Sequence, residues 1–154
     1  MAVTPADFKQ TLARFLSGVT VVSVHADGTT HGMTASAFLS VSLDPPLVLV
    51  SVAASTRMHA LLPAAGRFGV SILGADQEAL SSHFAGYGAA SPQWRWDDGV
   101  PVLEGGIGWM RCTLHAAHEA GDHTLYLGRV EALSYTEGEP LAYYRGKYRG
   151  LVPV

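Results

Sequence analysis

The run "GMTASAFLSVSLDPPLVLVSV" (Gly32 to Val52) constrains this chain more than any other stretch. Asp44-Pro45-Pro46 forces a turn, because proline fixes φ and has no N–H to donate. On either side the residues alternate with the period of a strand. Before the turn, Ala37, Leu39, Val41 and Leu43 fall on one side; Ser36, Ser40 and Ser42 fall on the other, with Phe38 among them. After it, "LVLVSV" (Leu47 to Val52) is apolar on both faces and is expected to be a central strand. A polar strand face turned to water usually carries Lys, Glu and Thr. This one has no charge between Thr34 and Leu43. Small neutral hydroxyls suit a surface that something else lies against.

The rest of the chain reads in the same style. "TPADFKQTLARFLSG" is expected to be a helix, capped by Thr4, with Pro5 in its first turn and Gly18 as its stop. Phe8, Leu12, Phe15 and Leu16 form its apolar stripe. "VTVVSV" (Val19 to Val24) is a β-branched strand, followed by an Asp27-Gly28 turn signal and a strand over Thr34–Leu43. "STRMHALL" (Ser55 to Leu62) predicts a short helix ended by Pro63, and "RFGVSIL" (Arg67 to Leu73) a strand. "ADQEALSSHFAG" predicts a helix capped by Asp76 with Glu78 in its first turn. "YGAASPQWRWDDGVPVLEGG" is rich in Gly and Pro and is expected to be a long surface loop. Two strands follow, "IGWMRCTLHAAHEAGD" and "HTLYLGRVEALSY", around a turn at Glu119–Asp122. The tail "PLAYYRGKYRGLVPV" is aromatic and basic with little periodicity. There are no internal repeats. The sum is about six short strands and three small helices, a mainly β chain forming a barrel with peripheral helices.

Length and composition bound the function. A chain of 154 residues fits one domain, taken as 1–154, and can bury roughly 70% of its unfolded surface without a disulfide or metal staple. Only 15% of residues are charged, below the usual quarter or so, which predicts surface buried against a partner, most simply in a homodimer. A net charge of −3 argues against a nucleic-acid binder. The near-apolar run Pro45 to Ala54 is too short to span a bilayer, which takes roughly 20 residues, so no membrane association is expected. The start "MAVTPADFKQ" resembles no signal peptide. The single cysteine, Cys112, cannot form an internal disulfide, and a reducing cytoplasm is the simple reading.

Several chemistries are disfavoured. Of seven histidines, His115 and His118 sit three apart on a strand, which sends them to opposite faces; His25 and His31 flank a turn and would meet only across a hairpin. No Cys-x-x-Cys exists, so no metal site is expected. A Ser-His-Asp hydrolase lacks its Gly-x-Ser-x-Gly elbow. No Gly-x-Gly-x-x-Gly stands between a strand and a helix, so a dinucleotide would not bind through a Rossmann turn.

"SVAASTRMHALL" carries more. Ser55, Thr56 and Arg57 at a helix start supply hydroxyls, unpaired N–H groups and a guanidinium, a set that binds anions. The plain alternative is an N-cap serine beside a solvated arginine. Together with the hydroxyl face of Thr34–Ser36, this segment suits a flat aromatic ligand with a phosphate tail.

These residues resemble the short-chain flavin reductases, the reductase components of two-component flavin-dependent monooxygenases. "GMTASAFLSVSLDPPLVLVSV" resembles their flavin-binding segment, and "FLSGVTVVS", "STRMHALL", "RFGVSIL", "HFAG", "GDHTLYLGRV" and "LAYYRGKY" follow in the family's order. The resemblance covers about residues 5 to 150. It implies a Greek-key split β-barrel of the FMN-binding type, forming a homodimer. It implies that Thr34, Ala35 and Ser36 line the isoalloxazine and ribityl chain, with Ser51, Val52 and Ala53 continuing that wall. Ser55, Thr56 and Arg57 would hold the phosphate, and Phe84 would lie next to the flavin. His123 corresponds to a position linked to nicotinamide binding; Tyr143, Arg145 and Tyr148 lie where the family closes over flavin or reduced nicotinamide. Many relatives carry asparagine in place of Ser36, whose reach is shorter.

The implied activity is hydride transfer from NADH or NADPH to FMN or FAD, with FMN slightly favoured, and delivery of reduced flavin to a separate monooxygenase. The cofactors carry that chemistry, so no catalytic acid-base residue is obligatory. Three other readings stand beside it. One is a non-catalytic flavin carrier or sensor. Another is a relative of pyridoxamine-phosphate oxidase, which would need a second basic cluster for its substrate's phosphate. The last is a protein-interaction barrel that binds no flavin.

Overall fold

The computed structural model describes residues 2–154. In chain order the elements are α1 (Pro5–Leu12), β1 (Ser17–Gly18), β2 (Thr20–Ala26), β3 (Thr29–Ala35), β4 (Phe38–Leu43), β5 (Pro46–Ala53), α2 (Arg57–Ala65), β6 (Arg67–Ile72), α3 (Glu78–Phe84), β7 (Trp94–Asp97), β8 (Val100–Leu103), β9 (Gly108–Ala120), β10 (His123–Tyr135), β11 (Ala142–Tyr144) and β12 (Lys147–Arg149). The chain is mainly β, as its sequence predicts, but its strands outnumber the expected six.

The main sheet has seven antiparallel strands in the order β3-β2-β6-β9-β10-β5-β4. The expected single strand over Thr34–Leu43 is two strands, broken at Ser36 and Ala37, and they lie at opposite edges of this sheet. Three Cα steps join Ala35 to Phe38, a reach of about 11 Å. Seven flat strands would separate the edges by roughly 29 Å. The sheet therefore curls until its edges approach, giving a barrel with an open seam. The Ser36–Ala37 link lies at that seam, and two hydrogen bonds pin it. Thr20 Oγ1 donates to the Ala35 carbonyl at 2.6 Å, and Ser51 N–H to the Ala37 carbonyl at 3.2 Å.

Inside the barrel, Val22, Val24, Val50, Val52, Met58, Phe68 and Val70 form the larger core. Val19, Val21, Leu73, Leu103 and Leu141 form a second one. β2 is buried on both faces because the segment expected to be a loop covers its outer side. β7 and β8 form a hairpin whose turn, Asp98-Gly99, has φ of 47° and 81°. That is an Asp-Gly hairpin turn; the surrounding Gly and Pro content hid it. Every residue of β8 is buried. Its Pro101 carbonyl accepts a hydrogen bond from Ser23 Oγ and lies where a Cβ on Gly69 would stand.

The helices depart from expectation at their ends. Thr4 does cap α1, accepting from Asp7 N–H at 3.1 Å, but the helix stops at Leu12 rather than Gly18, and none of its residues is buried. α2 continues past Pro63 and ends at Gly66, whose φ of 71° and N–H bond to the Leu62 carbonyl close it. α3 is capped at Gln77, not Asp76; the Gln77 side chain accepts from Gly74 N–H at 3.0 Å.

The tail is not aperiodic. β11 and β12 form a hairpin that pairs with β1 as a second, three-stranded sheet. Its turn, Arg145-Gly146, has φ of 52° and 75°. Arginine stands where Asn, Asp or Gly is usual, so the hairpin carries no legible sequence signal.

The apolar side of β4 is also not where the alternation suggests. Leu39, Val41 and Leu43 face outward, Leu43 being 92% exposed, while Phe38 packs against the larger core. A bulge between Ser40 and Ser42 leaves Val41 unpaired and breaks the period of two.

Candidate functional site

Thr34, Ser36, Ser51, Tyr143, Arg145 and Tyr148, of the predicted site residues, line cavities at the seam. Three cavities share Ser36. The first, of about 570 Å³, lies between Phe15, Leu16, Phe38, Leu39 and Ile72, with Ser51 in its wall. The second, of about 450 Å³, is lined by Thr34, Ser36, Ser81, Tyr87, Tyr143 and Tyr148, among others. The third, of about 510 Å³, runs between α1 and the tail hairpin past Lys9, Tyr143 and Arg145. Each is within the range of about 300–1,000 Å³ usual for small-molecule pockets.

Within the Thr34–Ser36 segment the side chains differ in role. Thr34 Oγ1 donates to the Ser81 carbonyl at 2.6 Å. Its proton is thereby engaged, and its lone pairs remain to accept from a ligand. Ala35 is buried, and Ser36 is exposed at the seam. On β5, Ser51 is half-buried and faces the first cavity, but the Val52 side chain is in the core. Val52 can offer a ligand only backbone.

The Ser55–Arg57 segment begins α2 at the far end of β5. Ser55 and Arg57 are exposed. Thr56 is the N-cap residue, yet its hydroxyl turns back to donate to the Ala53 carbonyl at 2.8 Å. The free donors at this helix start are thus the Ser55 hydroxyl, the Arg57 guanidinium and the terminal N–H groups. Burial first, then the nearby Arg57 charge, hold His31 below its ordinary pKa. α2 packs on β3, so His31 feels the Arg57 charge, a relationship that sequence reasoning missed because nothing local links them. His31 does not meet His25: its register partner is Val24, and His25 hydrogen-bonds Thr30 at 2.9 Å.

His123 opens β10 opposite Ala53, so it continues the β5 wall. Its Nδ1 is 2.7 Å from Asp122 Oδ1, and its side chain is 43% exposed. The hydrogen bond from His123 and the charge behind it hold the Asp122 carboxyl below its usual range. Phe84 packs more deeply than a residue that only contacts ligand. A Cβ on Gly32 would stand 2.7 Å from its ring, and Trp94 lies 5.6 Å away between centroids.

The tail hairpin covers one side of the second cavity. Tyr143 and Tyr148 have ring centroids 5.4 Å apart, and Tyr148 Oη is 2.6 Å from Ser81 Oγ. Arg145 faces the third cavity, its N–H donating to the Ala13 carbonyl at 3.1 Å. So Thr34, Ser36, Tyr143 and Tyr148 meet in one cavity, and Ser36 joins Ser51 in another. Ser55–Arg57, Phe84 and His123 lie outside these three cavities.

Sequence reasoning missed Ser81, Ser82 and Tyr87. The signal for Tyr87 was its position between Gly86 and Gly88, with φ of 90° and 73°, an exposed aromatic on a loop only glycines can shape. Ser81 had no signal, since a helical serine reads as a surface residue. Among the described residues no cluster of metal-ligating side chains occurs, and no helix is long and apolar enough to cross a membrane. The set of hydroxyls, a tilted tyrosine pair and a cationic helix start fits a flat heteroaromatic ring with a phosphate.

Comparison with known proteins agrees with that chemistry. Residues 12–152 match the profile of the flavin reductase like domain. An NADH-dependent flavin reductase of a Rhodococcus species is 49% identical, over 97% of this chain and 88% of its own length. The reductase component of 4-hydroxyphenylacetate 3-monooxygenase from Thermus thermophilus is 43% identical, over 94% of this chain and 95% of its own. Among solved structures, flavin reductase PheA2 superposes with a TM-score of 0.95 at 37% identity, covering 98% of this chain and 100% of that one.

Proposed function

This chain belongs to the flavin reductase-like domain family, and on that premise we propose that it is an NAD(P)H:flavin oxidoreductase. It passes hydride from reduced nicotinamide, NADH before NADPH, to FMN or FAD, and supplies reduced flavin to a separate monooxygenase. The observation that carries this reading is the convergence of Thr34, Ser36, Tyr143 and Tyr148 on one cavity at the seam. The 49% identical relative being an NADH-dependent flavin reductase supports it.

When both cofactors are bound, they supply the hydride chemistry, from nicotinamide C4 to flavin N5. The protein's part is position and polarity. Thr34 Oγ1, its proton held by the Ser81 carbonyl, would accept from the polar edge of the ring. Ala35, Ser36, Ser51 and the Val52–Ala53 backbone form the wall. Ser55, Thr56 and Arg57 bind the phosphate through a hydroxyl, helix N–H groups and the guanidinium. This helix start reads the phosphate that FMN and FAD share; FMN is the flavin we slightly favour. Phe84 backs β3 through Gly32, keeping Thr34 in place. His123, held by Asp122, together with Tyr143, Arg145 and Tyr148, orients the nicotinamide. The contribution of these residues to catalysis would be to hold the two bound cofactors in register with each other.

The outward apolar side of β4, with Leu39 57% and Leu43 92% exposed, and Phe15 at 80%, supports a homodimer that covers it. A single buried cysteine, Cys112, and the nicotinamide donor support a cytoplasmic setting. The deciding experiment follows absorbance at 340 nm with NADH, then NADPH, before and after adding FMN or FAD. Flavin-dependent loss is expected, fastest with NADH and FMN. Flavin binding without loss would overturn the reductase in favour of a carrier.

A further inference from the structure

The geometry points to Ser81 as a positioning residue that latches the C-terminal hairpin across the nicotinamide cavity. Ser81 is fully buried and works in two directions. Its carbonyl accepts from Thr34 Oγ1 at 2.6 Å, holding the flavin wall of β3. Its hydroxyl lies 2.6 Å from Tyr148 Oη, holding β12. One residue of α3 thus ties together the two sides of the cavity that it also lines.

The hairpin needs such a tie. β11 is anchored: it pairs with β1 through Ser17–Tyr143 and Gly18–Ala142, and Leu141 and Ala142 are buried. β12 is the outer strand of that sheet, paired only with β11. Its neighbours Arg145, Gly146, Lys147 and Arg149 are exposed. Apart from packing of its own ring, Tyr148 holds β12 to the barrel by the bond to Ser81, and the Tyr143 ring leans on Tyr148. Breaking that bond frees the tyrosines that cover the nicotinamide, while the Ser81 carbonyl keeps Thr34 where it was. The two ligands should therefore respond differently, which a general loss of packing would not produce.

The kinetic half of this inference rests on the proposed reductase activity; the structural half does not. Ser81→Ala and Tyr148→Phe remove the same bond from opposite ends. Each should raise the KM for NADH about five- to tenfold, as for one lost hydrogen bond, with kcat within about twofold in Ser81→Ala. Flavin Kd, read by fluorescence quenching, should stay within about twofold in Ser81→Ala. The double variant should be no worse than the poorer single one. Trypsin should cut faster after Arg145, Lys147 and Arg149 in both variants. Additive effects, or unchanged tail cleavage with an unchanged KM, would overturn the latch, as would an equal rise in flavin Kd. Should Ser81→Ala not fold, Tyr148→Phe decides through the same readouts. A wild-type protein that oxidises no NADH would sink the reductase reading, and tail cleavage would still decide the latch.

Discussion

The Tyr126 hydroxyl donates to the His59 carbonyl at 2.8 Å. That carbonyl lies four residues before Pro63, which has no N–H to offer it inside α2. A side chain from β10 thus replaces the missing helical bond, and this is how α2 runs past a proline that ought to end it. Burial raises the Tyr126 pKa, which keeps the donor protonated. Tyr126→Phe should lower stability by about 1 kcal/mol, the low end of the cost of a carbonyl left unpaired, since this one is only part-buried. Urea titration measures this. An unchanged midpoint would show that α2 tolerates the orphan.

Flavin affinity should depend on the hydroxyls at the seam. Thr34→Val and Ser36→Val together should weaken it by about 1–3 kcal/mol. Ser81 retains Ala85 N–H as a partner for its carbonyl, at 3.1 Å, so the fold should persist. Fluorescence quenching on titration with FMN reads the result, and full retention of affinity would remove Thr34 and Ser36 from the wall.

His123→Ala should raise the KM for NADH more than that for flavin, because the residue caps the outer end of the β5 wall beside Ala53. Asp122→Asn should produce a smaller change of the same kind, since it only weakens the hold on the imidazole. Steady-state kinetics with each substrate varied separates the two. Equal effects on both would count against the nicotinamide role.

Acid should destabilise the fold through His31. Burial and Arg57 depress its folded pKa below the unfolded value of about 6.5. The unfolded chain then binds the proton more readily. The stability this contributes is complete above about pH 6.5 and is lost as pH falls below it through the folded pKa. His31→Asn should flatten that part of the profile of urea midpoint against pH. A parallel profile in the variant would reassign the acid sensitivity to other groups.

The outward leucines of β4 should mark the interface between two copies. Sedimentation at micromolar concentration should give twice the mass of one chain. Leu39→Asp with Leu43→Asp should give a single chain's mass. A wild-type protein that sediments as one chain would refute the dimer.

Local chemistry made much of this molecule legible. Thr4 and Pro5 start α1, Asp27-Gly28 turns β2 into β3, Asp44-Pro45-Pro46 turns β4 into β5, and the β9–β10 hairpin turns at the expected place. The hydroxyls of Thr34 and Ser36 were legible too, because an uncharged polar strand face is unusual. Alternation shows which residues share a face, but not which face is inside. Leu39 and Leu43 share a face in the sequence, and the structure turns that face outward. Nor does it show that a two-residue break at Ser36–Ala37 sends the chain to the opposite edge of the sheet, since strand order depends on pairings far apart in sequence. His31 beside Arg57, Tyr126 serving His59, and Ser81 joining Thr34 to Tyr148 are likewise long-range pairings. By itself the sequence determined the mainly β architecture and most of its turns, because these follow from neighbouring residues, and its resemblance to the flavin reductases supplied the expected chemistry. Only the tertiary structure decided where the seam opens and what holds it, because those contacts exist only once the sheet has curled.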